Sequence, residues 1–163
     1  MIGVAGLGYW GPNLARNFGE LGALTWLCDL DEDLRVSFAR RYPGVQVTGS
    51  FEAMLADPDV QGVVIATPVP THYALARQAL EAGKHVLVEK PPAMRATEID
   101  ELVAMANERD LVLMPGHLLL YHPAVRKVKE LIDAGELGEV FCVYGNRQNL
   151  GIVRTMPRFW RLP

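Results

Sequence analysis

The chain has 163 residues, half of them apolar, which suits one ordinary domain or one domain plus a fragment. A formal net charge of −3 gives no reason to expect nucleic acid, and no run approaches the roughly 18 uncharged apolar residues of a membrane span. Cys28 and Cys142 stand alone and no metal-ligand cluster is visible, so reduced thiols in a cytoplasmic protein are expected, with no support in the sequence for a disulfide between them or for a zinc site.

Residues 1–5 are apolar without a basic segment before them, and read as a strand, not a signal peptide. A helix follows over 11–21, with Leu14, Phe18 and Leu21 spaced by four and three on one face. Residues 23–28 are β-compatible, 31–41 helical, 45–47 a short strand and 51–56 a short helix. The run GVVIA at 62–66 has the unbroken apolar character of a buried parallel strand. A helix over 71–82 stops at Gly83. Residues 85–88 form the next strand. Residues 97–107 form a helix opened by Thr97 and Asp100 as an acidic variant of the capping box, and 111–114 form another strand.

Alternating strands and helices with short connections predict a parallel sheet covered on both faces, a doubly wound α/β domain of the Rossmann type over residues 1–118. Residues 119–163 read as the start of a second, incomplete α+β domain. It has a helix over 123–134 with Val125, Val128, Leu131 and Ile132 on one side. Arg126, Lys127 and Lys129 form its solvated face, and a strand follows over 140–144. A lone edge strand exposes unpaired backbone groups, so it is expected to pair with another chain or to lie under residues 154–163.

Between the first strand and helix the chain reads Gly6-Leu7-Gly8-Tyr9-Trp10-Gly11-Pro12. In that setting Gly6 permits a tight turn and Gly8 lets a pyrophosphate approach the backbone. Gly11 lets the helix pack on the strand, and the first helical N–H groups face the anion. Pro12 sits where a missing N–H costs least. Asp29 ends the second strand 18 residues past Gly11, near the roughly 20-residue offset of an acid that bonds a ribose diol. Its charge repels a 2′-phosphate, so NAD is expected in preference to NADP. Arg35, one turn further on, argues the other way. A methyltransferase uses a similar first turn and acid, and a turn that binds nothing has the same glycines.

Two further segments fall at strand ends, where ligands of open α/β sheets bind. One is Ala66-Thr67-Pro68 leading to His72, which is either a helix-start residue or part of the site. The other is Glu89-Lys90-Pro91-Pro92, in which Lys90 could hold a substrate hydroxyl or simply form a surface ion pair.

The stretches VAGLGYWGPNLARNF, CDLDE, VVIATPVPTHYALARQAL, AGKHVLVEKP and GHLLLYHPAVRKVKELIDAGELGEV together resemble the Gfo/Idh/MocA family of oxidoreductases. The segments GHLLLYHPAV and NLGIVR are most similar to its nucleotide-sugar branch. The resemblance implies nicotinamide-dependent oxidation of a sugar or nucleotide-sugar hydroxyl, or the reverse, in a homo-oligomer. It implies that Lys90 bonds the reacting hydroxyl, that Glu89 positions Lys90, and that the Lys90–Pro91 peptide is cis. Gly6, Leu7, Gly8, Tyr9, Trp10, Gly11, Asp29, Ala66, Thr67, Pro68, His72 and Glu89 are then the cofactor-binding residues. Tyr121 and Arg147 are candidates to line the sugar pocket.

Family members continue into a large, mostly antiparallel sheet domain with a proton-accepting His and a dimer interface. Just before that His the nucleotide-sugar branch reads as an acidic residue and then L-W-x-L-A-P-H-D. Here the chain reads Thr155-Met156-Pro157-Arg158-Phe159-Trp160-Arg161-Leu162-Pro163. The expectation is therefore a truncated or frameshifted product lacking that His. It would bind NAD and turn over weakly or not at all, or serve as a non-catalytic NAD-binding module.

Overall fold

The computed structural model describes residues 1–146, which belong to two units, Met1–Leu120 and a second beginning at Tyr121. Arg147 and residues 154–163 lie outside the described residues.

The first unit is one six-stranded parallel sheet in the order β3-β2-β1-β4-β5-β6. Its strands are β1 (Ile2–Ala5), β2 (Leu24–Cys28), β3 (Gln46–Thr48), β4 (Gly62–Ile65), β5 (His85–Val88) and β6 (Leu113–Pro115). Every residue of β4 is buried, as the unbroken GVVI run requires of an interior strand.

Alternation along the strands sorts the core into two layers. Val4 and Val64 meet Leu7, Leu27, Ala15 of α1 (Gly11–Glu20) and Phe38 of α2 (Glu32–Arg41). Ala5 and Ile65, one residue further along, meet Met54 of α3 (Phe51–Ala56), Leu80 of α4 (His72–Glu81) and Leu102 of α5 (Ala96–Glu108). Helices thus cover both faces. Leu14 and Phe18 of α1 pack onto the first layer, whereas Leu21 is 74% exposed. The helix ends at Glu20, so Leu21 leaves the stripe that the spacing predicts for it.

Register then places the ends of the strands. Ala5 pairs with Cys28 and with Ile65, Ile65 with Val88, and Val88 with Pro115. The residues that follow, Gly6, Asp29, Ala66, Glu89 and Gly116, emerge side by side along one edge of the sheet. After β3 the chain crosses back to lay β4 against β1, so the strand order reverses between them. A crevice for ligands opens at such a reversal.

Helix starts follow local chemistry. The Asp31 carboxylate accepts the N–H groups of Asp33 (2.9 Å) and Leu34 (3.2 Å) at the head of α2. At α5 the predicted cap is displaced: Arg95, not Thr97, is the N-cap residue. The Glu98 carboxylate reaches back to the N–H groups of Met94 and Arg95, both at 3.2 Å. Its longer arm serves two donors outside the helix, which Asp100, two residues further in, does not do.

The second unit contains α6 (Pro123–Asp133), started by His122 Nδ1, which accepts the Ala124 N–H at 3.2 Å. Lys127 pairs with Glu130 and Lys129 with Asp133 along its exposed side, and the Arg126 guanidinium lies over the Tyr121 ring. Residues 140–144 form no strand. A strand exists by its ladder of hydrogen bonds to a neighbour, and among the described residues of this unit no strand stands beside them. No helix among the described residues is long and apolar enough to cross a membrane.

Candidate functional site

The glycine loop shows three different reasons for lacking side chains. Gly6 has φ +88°, and a Cβ there would lie 2.6 Å from the backbone of Ala66 and Thr67, so the β1 and β4 ends touch main chain to main chain. A Cβ at Gly11 would lie within bonding distance of Gly6 O, so α1 begins directly against the loop. A Cβ at Gly8 would meet nothing within 4 Å, and Gly8 and Tyr9 face outward. Gly6 and Gly11 thus serve packing, while Gly8 leaves open room. Trp10 stands at the N-cap of α1 and makes no side-chain cap hydrogen bond; Pro12 has no N–H and Asn13 donates its own to Trp10 O at 3.0 Å, which leaves the Gly11 N–H without a side-chain cap.

Leu7 differs from the loop around it. Its side chain is buried in the core and its N–H is donated to Asp29 Oδ2 at 2.6 Å. The other carboxylate oxygen, Oδ1, accepts the Asp31 N–H at 2.9 Å. Each oxygen keeps a further lone pair, so the carboxylate can still accept a diol. Arg35 Nη1 donates to two main-chain carbonyls, Asp29 O at 2.9 Å and Leu30 O at 2.7 Å. Cys28, which precedes Asp29, is buried. Burial first, and then the Asp29 and Glu52 carboxylates, push its thiol up to about 11.

The β4 and β5 ends are joined through His72. It is the first residue of α4, but its ring is only 1% exposed. Nε2 lies 2.7 Å from Thr67 O and Nδ1 lies 2.8 Å from Pro91 O. Both carbonyls accept and a neutral ring has one N–H, so the ring donates to one loop, packs against the other, and does not line the crevice with its nitrogens. Thr67 Oγ1 and Thr71 Oγ1 are 2.7 Å apart, and the Thr71 hydroxyl donates to Pro68 O, which folds the intervening loop. The Lys90–Pro91 peptide is cis. Lys90 is exposed and Glu89 beside it is buried. Glu89 Oε2 accepts the Lys90 backbone N–H at 3.3 Å, and Oε1 has no partner among the described residues.

Gly6, Gly8, Asp29, Thr67, Glu89 and Lys90 thus reach one edge of one sheet, with His72 behind two of them. The sequence reading missed Gly116. A Cβ there would lie 3.1 Å from Glu89 Oε1, so the glycine leaves the room the buried carboxylate occupies. A glycine straight after a strand, level with Glu89, was the available signal. Tyr121 is half exposed in the second unit.

Residues 1–117 match the model of an oxidoreductase family described as having an NAD-binding Rossmann fold. The chain is 35% identical over 133 residues to the UDP-N-acetylglucosamine 3-dehydrogenase of Acidithiobacillus ferrooxidans, covering 78% of this chain and 40% of that protein. The solved structure of that enzyme superposes with a TM-score of 0.73, over 79% of this chain and 42% of its own. A 3-ketoreductase from Actinomadura kijaniata, solved in complex with TDP-benzene and NADP, is 33% identical with a TM-score of 0.72, over 85% of this chain and 45% of its own. The scyllo-inositol dehydrogenase of Lactobacillus casei, solved with NAD(H) and scyllo-inositol, is 27% identical with a TM-score of 0.77, over 85% and 42%. The chain spans less than half the length of these relatives.

Proposed function

The chain belongs to the Gfo/Idh/MocA family of oxidoreductases, and from that premise we propose that it carries the NAD-binding half of a dehydrogenase or reductase acting on a ring hydroxyl of a sugar or nucleotide sugar. The observation that carries the reading is the common edge. Register brings the open Gly8 loop, the Asp29 carboxylate and the Glu89-Lys90 pair to adjacent strand ends at the reversal of strand order. Membership of an oxidoreductase family sets aside the methyltransferase alternative.

Bound NAD supplies the hydride acceptor, C4 of its nicotinamide. The residues of this chain hold and orient. The backbone at Gly8 and the Gly11 N–H at the head of α1 accommodate the pyrophosphate. Asp29 accepts the hydroxyls of the adenine ribose. The Lys90 ammonium donates a hydrogen bond to the reacting hydroxyl and stabilises negative charge as its proton leaves. His72 keeps the Thr67 and Pro91 loops at a fixed separation, so the two parts of the site keep their geometry.

Oxidation needs an acceptor for the hydroxyl proton, and the family resemblance assigns that task to a His of the sheet domain. Loss of a general base costs on the order of 10²–10⁴-fold in rate. The residues at the common edge are expected to bind NAD, and turnover is expected to depend on such a base. Melting with NAD, NADP and S-adenosylmethionine, followed by a steady-state assay with NAD and UDP-sugars, tests both halves. NAD should raise the melting temperature more than NADP does, and S-adenosylmethionine should not raise it. No shift with NAD would remove the cofactor reading, and hydride transfer to NAD from none of the sugars by a chain that carries the base would remove the substrate reading.

A further inference from the structure

We propose that Arg35 sets the preference for NAD over NADP by latching the backbone that aims Asp29, and that it is not a ligand of a 2′-phosphate. The inference rests on the cofactor reading above. A guanidinium six residues beyond the ribose acid, in the first turns of the helix that follows, would ordinarily favour a phosphate there. In this structure its donors are turned the other way. Nη1 donates to two successive carbonyls, Asp29 O at 2.9 Å and Leu30 O at 2.7 Å. These carbonyls belong to the peptide units that follow the Asp29 Cα, so the bonds restrain the turn from which the carboxylate projects.

The seat of the guanidinium is shaped for this. A Cβ at Gly49 would lie 3.2 Å from Nη1 and 3.4 Å from Cζ, so the glycine after β3 admits the group against the β2–α2 turn. On the other side of that turn the carboxylate is held by the Leu7 N–H at 2.6 Å and the Asp31 N–H at 2.9 Å. Two amides fix its oxygens and one guanidinium fixes its backbone. A carboxylate so fixed meets a ribose diol with its remaining lone pairs and faces a 2′-phosphate with like charge. Freed from the latch, the turn loses the alignment that favours the diol, while a phosphate loses no partner.

The test is a pair of calorimetric titrations, NAD and NADP, on the 163-residue chain and on Arg35→Ala and Arg35→Lys. Arg35→Ala should weaken NAD by about 3- to 10-fold and leave NADP within about twofold, so that the preference narrows. Arg35→Lys should recover most of the loss, because an ammonium can bridge two carbonyls, as Lys84 Nζ does between Asp57 O (2.9 Å) and Val60 O (2.6 Å). The latch is overturned if Arg35→Ala weakens NADP more than NAD, if it changes neither, or if Arg35→Lys folds and binds no better than Arg35→Ala. A parent chain that binds neither dinucleotide sinks the cofactor reading itself, which separates the two failures.

Discussion

Asp29 Oδ2 accepts the N–H of Leu7 at 2.6 Å, a bond between residues 22 apart in the chain. The acid that closes β2 is thereby tied to the loop that closes β1. Leu7 shows why the bond holds: its side chain is sealed in the core, so its amide cannot swing away.

Asp29→Ala removes both the proposed ribose acceptor and the partner of a part-buried amide. NAD binding should weaken by about tenfold or more, and the advantage of NAD over NADP should shrink. Stability should also fall by about 1–2 kcal/mol. Asp29→Asn, which keeps an acceptor for Leu7, should recover much of the stability and less of the affinity. A dinucleotide preference unchanged in the alanine variant would show that Asp29 does not read the ribose.

The three loop glycines should separate under alanine substitution. Gly6→Ala forces a side chain to φ +88° and into the Ala66–Thr67 backbone, and should cost about 3 kcal/mol or more. Gly8→Ala meets nothing within 4 Å and should change stability by less than about 0.5 kcal/mol. It should nevertheless weaken NAD, because a methyl group then occupies the open approach. Urea unfolding alongside NAD titration reads both. Equal losses of stability at the two positions would contradict the separation.

Glu89→Gln addresses the buried carboxylate. Oε1 has no partner among the described residues and Oε2 receives only the Lys90 N–H at 3.3 Å. A buried carboxyl group with so few hydrogen-bond partners is a cost to folding. The neutral, isosteric side chain should leave stability equal or raise it by up to about 1 kcal/mol, while NAD binding or turnover declines. A variant less stable than its parent by more than about 1 kcal/mol would reveal a strong donor to Glu89.

The two thiols should behave differently. Cys142 is exposed and should react at once with a disulfide reagent at pH 8, whereas Cys28 should react only on unfolding. Burial raises the Cys28 thiol from 9.0 to about 11, so the folded chain keeps its proton where the unfolded chain releases it. The associated stability is complete below about pH 9 and is lost as pH rises towards 11, up to roughly 2–3 kcal/mol. Cys28→Ala should flatten that alkaline limb in denaturant titrations. An equally steep limb in the variant would assign it to other groups.

The strand–glycine–helix opening, the alternation of elements and the acid at residue 29 were legible because each is a local signal. Periodicity reports which side of an element is buried, and a glycine between a strand and a helix reports a backbone that must pass close to something. Periodicity alone predicted a strand at 140–144, and none forms, because a strand needs a neighbour that local pattern does not supply. The sequence also left His72 between a helix start and a ligand contact. Only the fold turned it inward onto Thr67 O and Pro91 O. Likewise Arg35 reads in sequence as a rival for phosphate, and only the seat beside Gly49 turned it to the carbonyls of Asp29 and Leu30. The amino-acid order by itself determined the elements and the residues at their ends, because burial and turn chemistry act over a few residues. The tertiary structure decided which donor meets which acceptor, because that depends on the crossover that sets β4 beside β1 and on the register that levels their ends.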